Sequence, residues 1–356
     1  MTVELGPTRL RKCIIAEIDT FLGKRRQRLT RFGSELEVML EVLERYTHGG
    51  KLLRPTFCYW GWRGAGGAAD SRAILRAAGS LELLHASALV HDDVMDASDR
   101  RRGAPTAHRS FADVHRAHGW RGSDERFGAS AAILLGDLCL AWSDEMVRTT
   151  GLPADLVDGA LEPYDLMRTE VIAGQYLDLS IQATGSRSVE AAMQVVRTKS
   201  ASYTVERPLQ LGAALGGGDA QLWATYSAYG VPVGEAFQLR DDVLGVFGHP
   251  EKTGKPAGDD IREGKRTVLL AYAYERSTAD QVAALERLVG DPELSPDGVD
   301  LVRTVLVESG ALAKVEQLIV DRVETSLETL DHASGLDGET RHALAALAVA
   351  STDRAA

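Results

Sequence analysis

The sequence of 356 residues predicts an all-α protein. Three observations carry the prediction. Apolar residues recur at the three- and four-residue spacing of helices along most of the chain. No stretch alternates apolar and polar residues over the length of a strand, and no hairpin dipeptide separates two apolar runs. No linker splits the pattern and no repeat of about 20–50 residues underlies it, so the expectation is one domain over residues 1–356.

Taken in order, residues 8–47 read as one or two amphipathic helices, with Leu36, Val38, Met39, Leu40, Val42 and Leu43 as the apolar face. The glycines of THGG, Thr47–Gly50, end them. Lys51–Trp62 predicts a short helix and Gly64–Ala69 a small-residue turn. Ser71–Ala97 is a long helix, with Leu81, Leu84, Ala88 and Met95 at helical spacing. Ala107–Ala117 is a further short helix, and His118–Arg126 a polar loop. Ser130–Thr149 and Pro153–Ala183 are long helices. Val189–Leu215 is one helix or two, broken near Lys199 or Pro208. Ala220–Gly248 is long again, and His249–Lys265 is a loop rich in Pro, Gly, Asp and Lys. Helices over Arg266–Tyr274, Ala279–Val289, Gly298–Ser309, Ala311–Leu330 and Glu339–Val349 follow. In Ala311–Leu330 the stripe is Leu312, Val315, Ile319, Val323, Leu327 and Leu330. The helices after about residue 280 carry no chemical motif and read as packing.

Bulk properties narrow the function. Hydrophobic content of 44% with 26% charged residues suits a chain that buries a large core. A net charge of −11 argues against a general nucleic-acid binder, which would show a basic face. Three scattered cysteines, Cys13, Cys58 and Cys139, make neither a disulfide framework nor a zinc site, and a reducing cytoplasm suits them. The N-terminal stretch mixes charges into its apolar residues and lacks the core of a signal peptide. Without a run of about 18 apolar residues, no membrane-spanning helix is expected.

Chemistry concentrates in two acidic clusters. His91–Thr106, HDDVMDASDRRRGAPT, sets Asp92, Asp93 and Asp96 ahead of Arg100, Arg101 and Arg102. On a helix Asp92 and Asp96 share a face, and like charges at that spacing repel unless a cation lies between them. Hard cations such as Mg²⁺ take carboxylate and phosphate oxygens, and arginines take further phosphate oxygens in pairs. The second cluster, FQLRDDVLGVFG, places Asp241 and Asp242 at the end of another long apolar helix. Carboxylates on facing helices are a common way to build a site in a helical core. Each cluster alone reads as a solvated helix end; their joint occurrence carries the inference. The loop TGKPAGDDIREGKRT adds Lys255 and Lys265 around Asp259 and Asp260, and ammonium groups near glycine backbone suit a diphosphate. In GGKLLRP, Lys51 and Arg54 stand three apart on one face and form a second candidate anion pocket. Between the clusters lie GQYLDL, with Gln175 and Asp178, and RTKSASYTVERP, with Lys199 and Ser200.

With these residues in view the chain resembles the trans-isoprenyl diphosphate synthases, the polyprenyl synthetase family. DDVMD with DRRRG, FQLRDD with GKPAGDD and EGKRT, and the intervening GGKLLRP, LLHASALVHDD, LLGD, GQYLD and KSASYTVERP follow the family's order and spacing over about residues 10–330. The resemblance implies a helical bundle of the isoprenoid synthase type around a central elongation cavity. It implies Mg²⁺, three ions per active site with diphosphate bound, held by Asp92, Asp96 and Asp241. Asp93, Asp242, Gln175, Asp178 and Asp260 would support the metals directly or through water. Arg101, Lys199, Gln238, Lys255 and Lys265 would meet the allylic substrate, with Ser200 keeping the hydroxyl of the commoner threonine. Lys51, Arg54, His85 and Arg102 would hold the diphosphate of isopentenyl diphosphate. One departure is Gly245, where some members carry a third aspartate of the second motif.

The implied reaction is head-to-tail, 1′-4 condensation of isopentenyl diphosphate with allylic diphosphates, by a homodimer. Ser87 and Ala88, five and four residues before Asp92, occupy the family's length-determining positions. Both are small, with Leu84 and Leu81 deeper along the helix, so the expected product is geranylgeranyl diphosphate, C20. A farnesyl or longer-chain synthase is the nearest alternative. A class I terpene cyclase would carry a different second motif and lack the isopentenyl diphosphate pocket. A non-catalytic partner subunit would have lost one or both acidic motifs.

Overall fold

A computed structural model describes residues 6–248 and 258–352. Lys255 lies outside the described residues. Among them, secondary structure is helical apart from one hairpin of two-residue strands. Residues 8–47 form two helices, α1 (Pro7–Leu29) and α2 (Glu37–Thr47), with a 3₁₀ turn, Ser34–Leu36, ahead of α2. α3 (Leu53–Gly64) starts later than the sequence suggests, because Leu52 sits in the left-handed region at φ 52°. α4 (Arg72–Met95) and α5 (Ala107–Ala117) follow expectation. α6 (Asp124–Arg148) begins six residues early, because Ser123 caps it by accepting from the Arg126 backbone N–H at 3.1 Å. α7 (Ala154–Ala183) and α10 (Ala220–Phe247) stay helical through Pro163 and Pro232.

Chain packing divides the protein into two compact units, Met1–Glu162 with Pro208–Asp219, and Pro163–Arg207 with Ala220–Ala356. In the first, α4 is the central helix and packs against α1, α2, α3, α5 and α6. Leu81 and Val90 are fully buried, and Leu84 and Ser87 almost so. His85, Ala88, Asp92 and Asp96 are half-buried. At about 100° per residue those four fall on one stripe, which ends in the aspartates. Met95, expected on the apolar face, is exposed. By length and mean hydropathy α4 and α6 would each pass for a membrane span. The relevant window is 72% buried within the protein in α4, as suits a core helix, and 39% buried in α6.

In the second unit α10 is the central helix. It packs against the segment Val196–Glu206 and against a later helix, Ala311–His332. The break expected near Lys199 or Pro208 is a change of helix type: α8 (Val189–Val195) runs into a π-helix, Val196–Glu206, and then into α9 (Arg207–Leu215). Wide π turns are uncommon and cluster at functional sites. Two glycines let neighbouring backbones close on it. A Cβ at Gly174 of α7 would lie 2.4 Å from the Lys199 backbone N, and one at Gly234 of α10 would lie 2.5 Å from the Ala201 Cα. Val243, Leu239 and Ala236 of α10 join Val268, Leu269, Leu285, Val302, Leu306, Val315 and Ile319 in the core of this unit.

Candidate active site

The first acidic cluster sits at the C-terminal end of α4. The DRRRG stretch after it folds as the hairpin, with Arg100 paired to Pro105 and Arg101 to Ala104. The turn residues Arg102 and Gly103 both have positive φ, 51° and 77°, as a tight two-residue hairpin turn requires. The hairpin sends Arg101 and Arg102 to different partners. Arg101 Nε donates to Asp93 Oδ1 at 2.7 Å, and its Nη2 donates to Asp92 Oδ2 at 3.2 Å. The Arg102 guanidinium instead lies over Gly49–Gly50, where a Cβ on either glycine would come within 2.5 Å of it.

Asp93 is the most deeply buried member of the first cluster. It is 0% exposed. Its Oδ1 accepts from Arg101 and its Oδ2 accepts from the Tyr46 hydroxyl at 2.8 Å. Both oxygens have a partner within the protein. Burial raises its pKa, and Arg101 and Tyr46 pull it back. Asp92 and Asp96 are half-buried on the open stripe, one turn apart.

Beside this end lies the cationic group expected to take the second diphosphate. Lys51 is exposed and Arg54 half-buried in the GGKLLRP turn. Arg11 of α1 fixes that turn by donating to the carbonyls of Gly50, at 2.5 Å, and His48, at 3.1 Å. Sequence reasoning missed one member, Glu82. It is 2% exposed on α4, one turn before His85. Burial pushes its carboxyl up to about 7, against the pull of Arg54, Arg102 and Arg11. His85 moves well below its ordinary value through burial, then Arg54 and Arg102, so its imidazole is neutral at pH 7. A lone acid in the apolar run SLELLHA was the available signal.

The second acidic cluster belongs to the second unit. The Lys199 ammonium donates to Asp178 Oδ2 at 2.7 Å, and Gln182 donates to the other Asp178 oxygen at 3.1 Å. Ser200 Oγ donates to Gln238 Oε1 at 2.6 Å, and Gln238 Nε2 passes the chain on to Asp242 Oδ1 at 2.8 Å. Lys265 lies 3.6 Å from Asp260 and 2.8 Å from Glu263. Burial pushes the Asp242 carboxyl up to about 8, with Asp260, Asp241 and Asp178 adding to it and Gln238 opposing. Gln175 and Asp241 are half-buried. Among the described residues, no three His, Cys, Asp or Glu side chains converge into a ready cation cage. Oxygen donors in crowded, like-charged clusters fit a hard divalent ion that takes its remaining ligands from a phosphate ester.

Two aspartate clusters at helix ends, each beside cationic side chains, in an all-helical chain, are the equipment of an enzyme that handles diphosphate esters. Comparison with known proteins agrees. The family model for polyprenyl synthetase matches residues 36–305. The chain is 32% identical over 300 residues to a geranylfarnesyl diphosphate synthase of Aeropyrum pernix, covering 83% of this chain and 87% of that one. It is 29% identical over 283 residues to a geranylgeranyl diphosphate synthase of Methanosarcina mazei, covering 80% of each. Among solved structures it resembles a geranylgeranyl pyrophosphate synthase from Corynebacterium glutamicum, described as complexed with isoprenyl diphosphate and magnesium. That TM-score is 0.95 at 41% identity, over 99% of this chain and 100% of that one. The chain belongs to the polyprenyl synthetase family. It is a trans-prenyltransferase, a prenyl diphosphate synthase.

Proposed function

We propose that this enzyme condenses isopentenyl diphosphate head-to-tail with allylic diphosphates and that its main product is geranylgeranyl diphosphate. The observation that carries the reading is the half-buried stripe of α4, where Ala88, a small side chain, stands one turn before Asp92. The structural neighbour from Corynebacterium glutamicum is named for the same C20 product. The Aeropyrum pernix relative is named for a C25 product, which keeps a longer-chain synthase as the alternative.

In this reading Asp92, Asp96 and Asp241 hold Mg²⁺, with Asp242, Asp178, Gln175 and Asp260 in support. Held there, Mg²⁺ would supply Lewis-acid stabilisation of the departing diphosphate. Arg101, Lys199 and Lys265, with Lys255, add fixed positive charge at the oxygens where negative charge grows, which favours the transition state over the ground state. Lys51, Arg54, Arg102 and neutral His85 orient isopentenyl diphosphate so that its double bond meets the allylic cation. Ser200 and Gln238 fix Asp242 through their hydrogen-bond chain. Apolar walls exclude the water that would quench the cation, and Leu81, Leu84, Ser87 and Ala88 set the length of the product. The whole chain, residues 1–356, is read as one prenyltransferase domain.

We read the enzyme as a cytoplasmic homodimer without a membrane span. Phe127, Ile133 and Leu134 of α6 are exposed large apolar side chains, and a second copy is a suitable cover for them. Incubation with Mg²⁺, isopentenyl diphosphate and farnesyl diphosphate tests the product. Mainly C20 is expected, and mainly C30 or longer would overturn the C20 assignment. Ala88→Phe should shorten the product to C15; an unchanged length would show that the growing chain does not pass Ala88.

A further inference from the structure

The segment that carries Asp92 is held by a residue outside every motif of the sequence. Tyr46 lies in the last turn of α2, three residues before GGKLLRP, and is 7% exposed. Its hydroxyl oxygen accepts from the Ala107 backbone N–H at 2.9 Å, at the first turn of α5. With that position taken, the hydroxyl proton goes to Asp93 Oδ2 at 2.8 Å. Asp93 Oδ1 takes Arg101 Nε at 2.7 Å, and Arg101 Nη2 reaches Asp92 Oδ2 at 3.2 Å. The chain Ala107–Tyr46–Asp93–Arg101–Asp92 thus ties α2, α4, the hairpin and α5 to one carboxylate oxygen.

We propose that Tyr46 is a positioning residue for the allylic diphosphate and its metal ions, acting through Asp93 and Arg101 on Asp92. The inference rests on the prenyltransferase reading and deepens it.

The physical argument concerns freedom of rotation. A carboxylate with one oxygen fixed can still turn; with both fixed, it cannot. Asp93 is fully buried, so no water replaces a lost partner. Arg101 has its Nε held by Asp93, which sets the plane of the guanidinium. The bond to Asp92 is the longest of the chain, and it is the first to fail when that plane tilts. Without Tyr46, Arg101 and Asp92 lose a shared orientation that the leaving diphosphate needs in advance. Arg54 and Arg102 make none of the hydrogen bonds just described, so the isopentenyl diphosphate pocket is expected to keep its geometry.

Tyr46→Phe deletes one oxygen and keeps the ring. The expected result is a KM for the allylic diphosphate raised about tenfold, with the KM for isopentenyl diphosphate within about twofold of wild type. The Mg²⁺ concentration for half-maximal rate should rise as well. A second readout needs no turnover: stabilisation of the protein by Mg²⁺ with inorganic diphosphate, followed as the shift in Tm, should shrink in the variant. A double-mutant cycle with Asp93→Asn should show that the two losses are not additive, since both act through Arg101. Equal loss for both substrates, or additive losses, would reduce Tyr46 to a packing residue and overturn the proposal. So would an unchanged Tm shift. A wild-type protein that consumes no isopentenyl diphosphate would instead remove the functional reading, and the Tm shift would then decide on Tyr46 alone.

Discussion

Residue 245 is glycine because Asp260 needs the room. A Cβ there would lie 1.8 Å from Asp260 Oδ2. The space that a third aspartate of the motif would enter is already filled by a carboxylate from the following loop. Restoring the fuller motif should therefore fail. Gly245→Asp is expected to expel Asp260 and add a like charge beside Asp242, lowering kcat at saturating Mg²⁺ by about tenfold or more; a rise in kcat would contradict this. Asp242 makes a second prediction. Its carboxyl is pushed up to about 8 by burial and by the neighbouring carboxylates. A raised carboxyl pKa stabilises the fold at low pH, and that contribution is lost as pH rises through about 8. A cation favours the charged form, so binding of Mg²⁺ with inorganic diphosphate should release a proton from Asp242 at pH 7, beyond those the diphosphate itself loses, and none from Asp242 near pH 9.5. Calorimetry in buffers of different ionisation enthalpy measures this, and Asp242→Asn should lower the release at pH 7 while leaving that of the diphosphate. The aspartates themselves were legible in the sequence, because charge pairs that end apolar helices stand out. Tyr46 and the burial of Asp93 were not, since hydrogen bonds between residues far apart in the chain leave no spacing to read.

At the scale of elements, helix spacing gave most boundaries to within a few residues. Two departures matter more than the agreements. The strands of the hairpin are two residues long, too short for any alternation to register, yet they separate Arg101 from Arg102. The π-helix over Val196–Glu206 carries Lys199 and Ser200 and was visible only as an uncertain break. Its geometry depends on Gly174, which admits the Lys199 backbone at close range. Gly174→Ala should cost about 1–3 kcal/mol of stability by overpacking, and it should weaken the Lys199–Asp178 bond with about tenfold loss of kcat/KM. Gly159→Ala is the control on the same helix. Nothing lies within 4 Å of its new Cβ, and helix propensity should make it neutral or stabilising by up to about 1 kcal/mol. Equal behaviour of the two variants by urea unfolding would show that the π segment does not need the glycine.

At the scale of the whole molecule, the all-α class follows from a single period maintained along the chain, and the family follows from the joint order of motifs that are weak one by one. Product length is harder to read, since relatives with similar motifs are named for different lengths. The reaction class does not depend on that length. The most direct test is incorporation of labelled isopentenyl diphosphate with Mg²⁺ and dimethylallyl, geranyl or farnesyl diphosphate, with a chelator control. The account predicts consumption of the label into an all-trans prenyl diphosphate, mainly C20, and its loss when Mg²⁺ is removed. Hydrocarbon formed without uptake of the label, or no product at all, would contradict it.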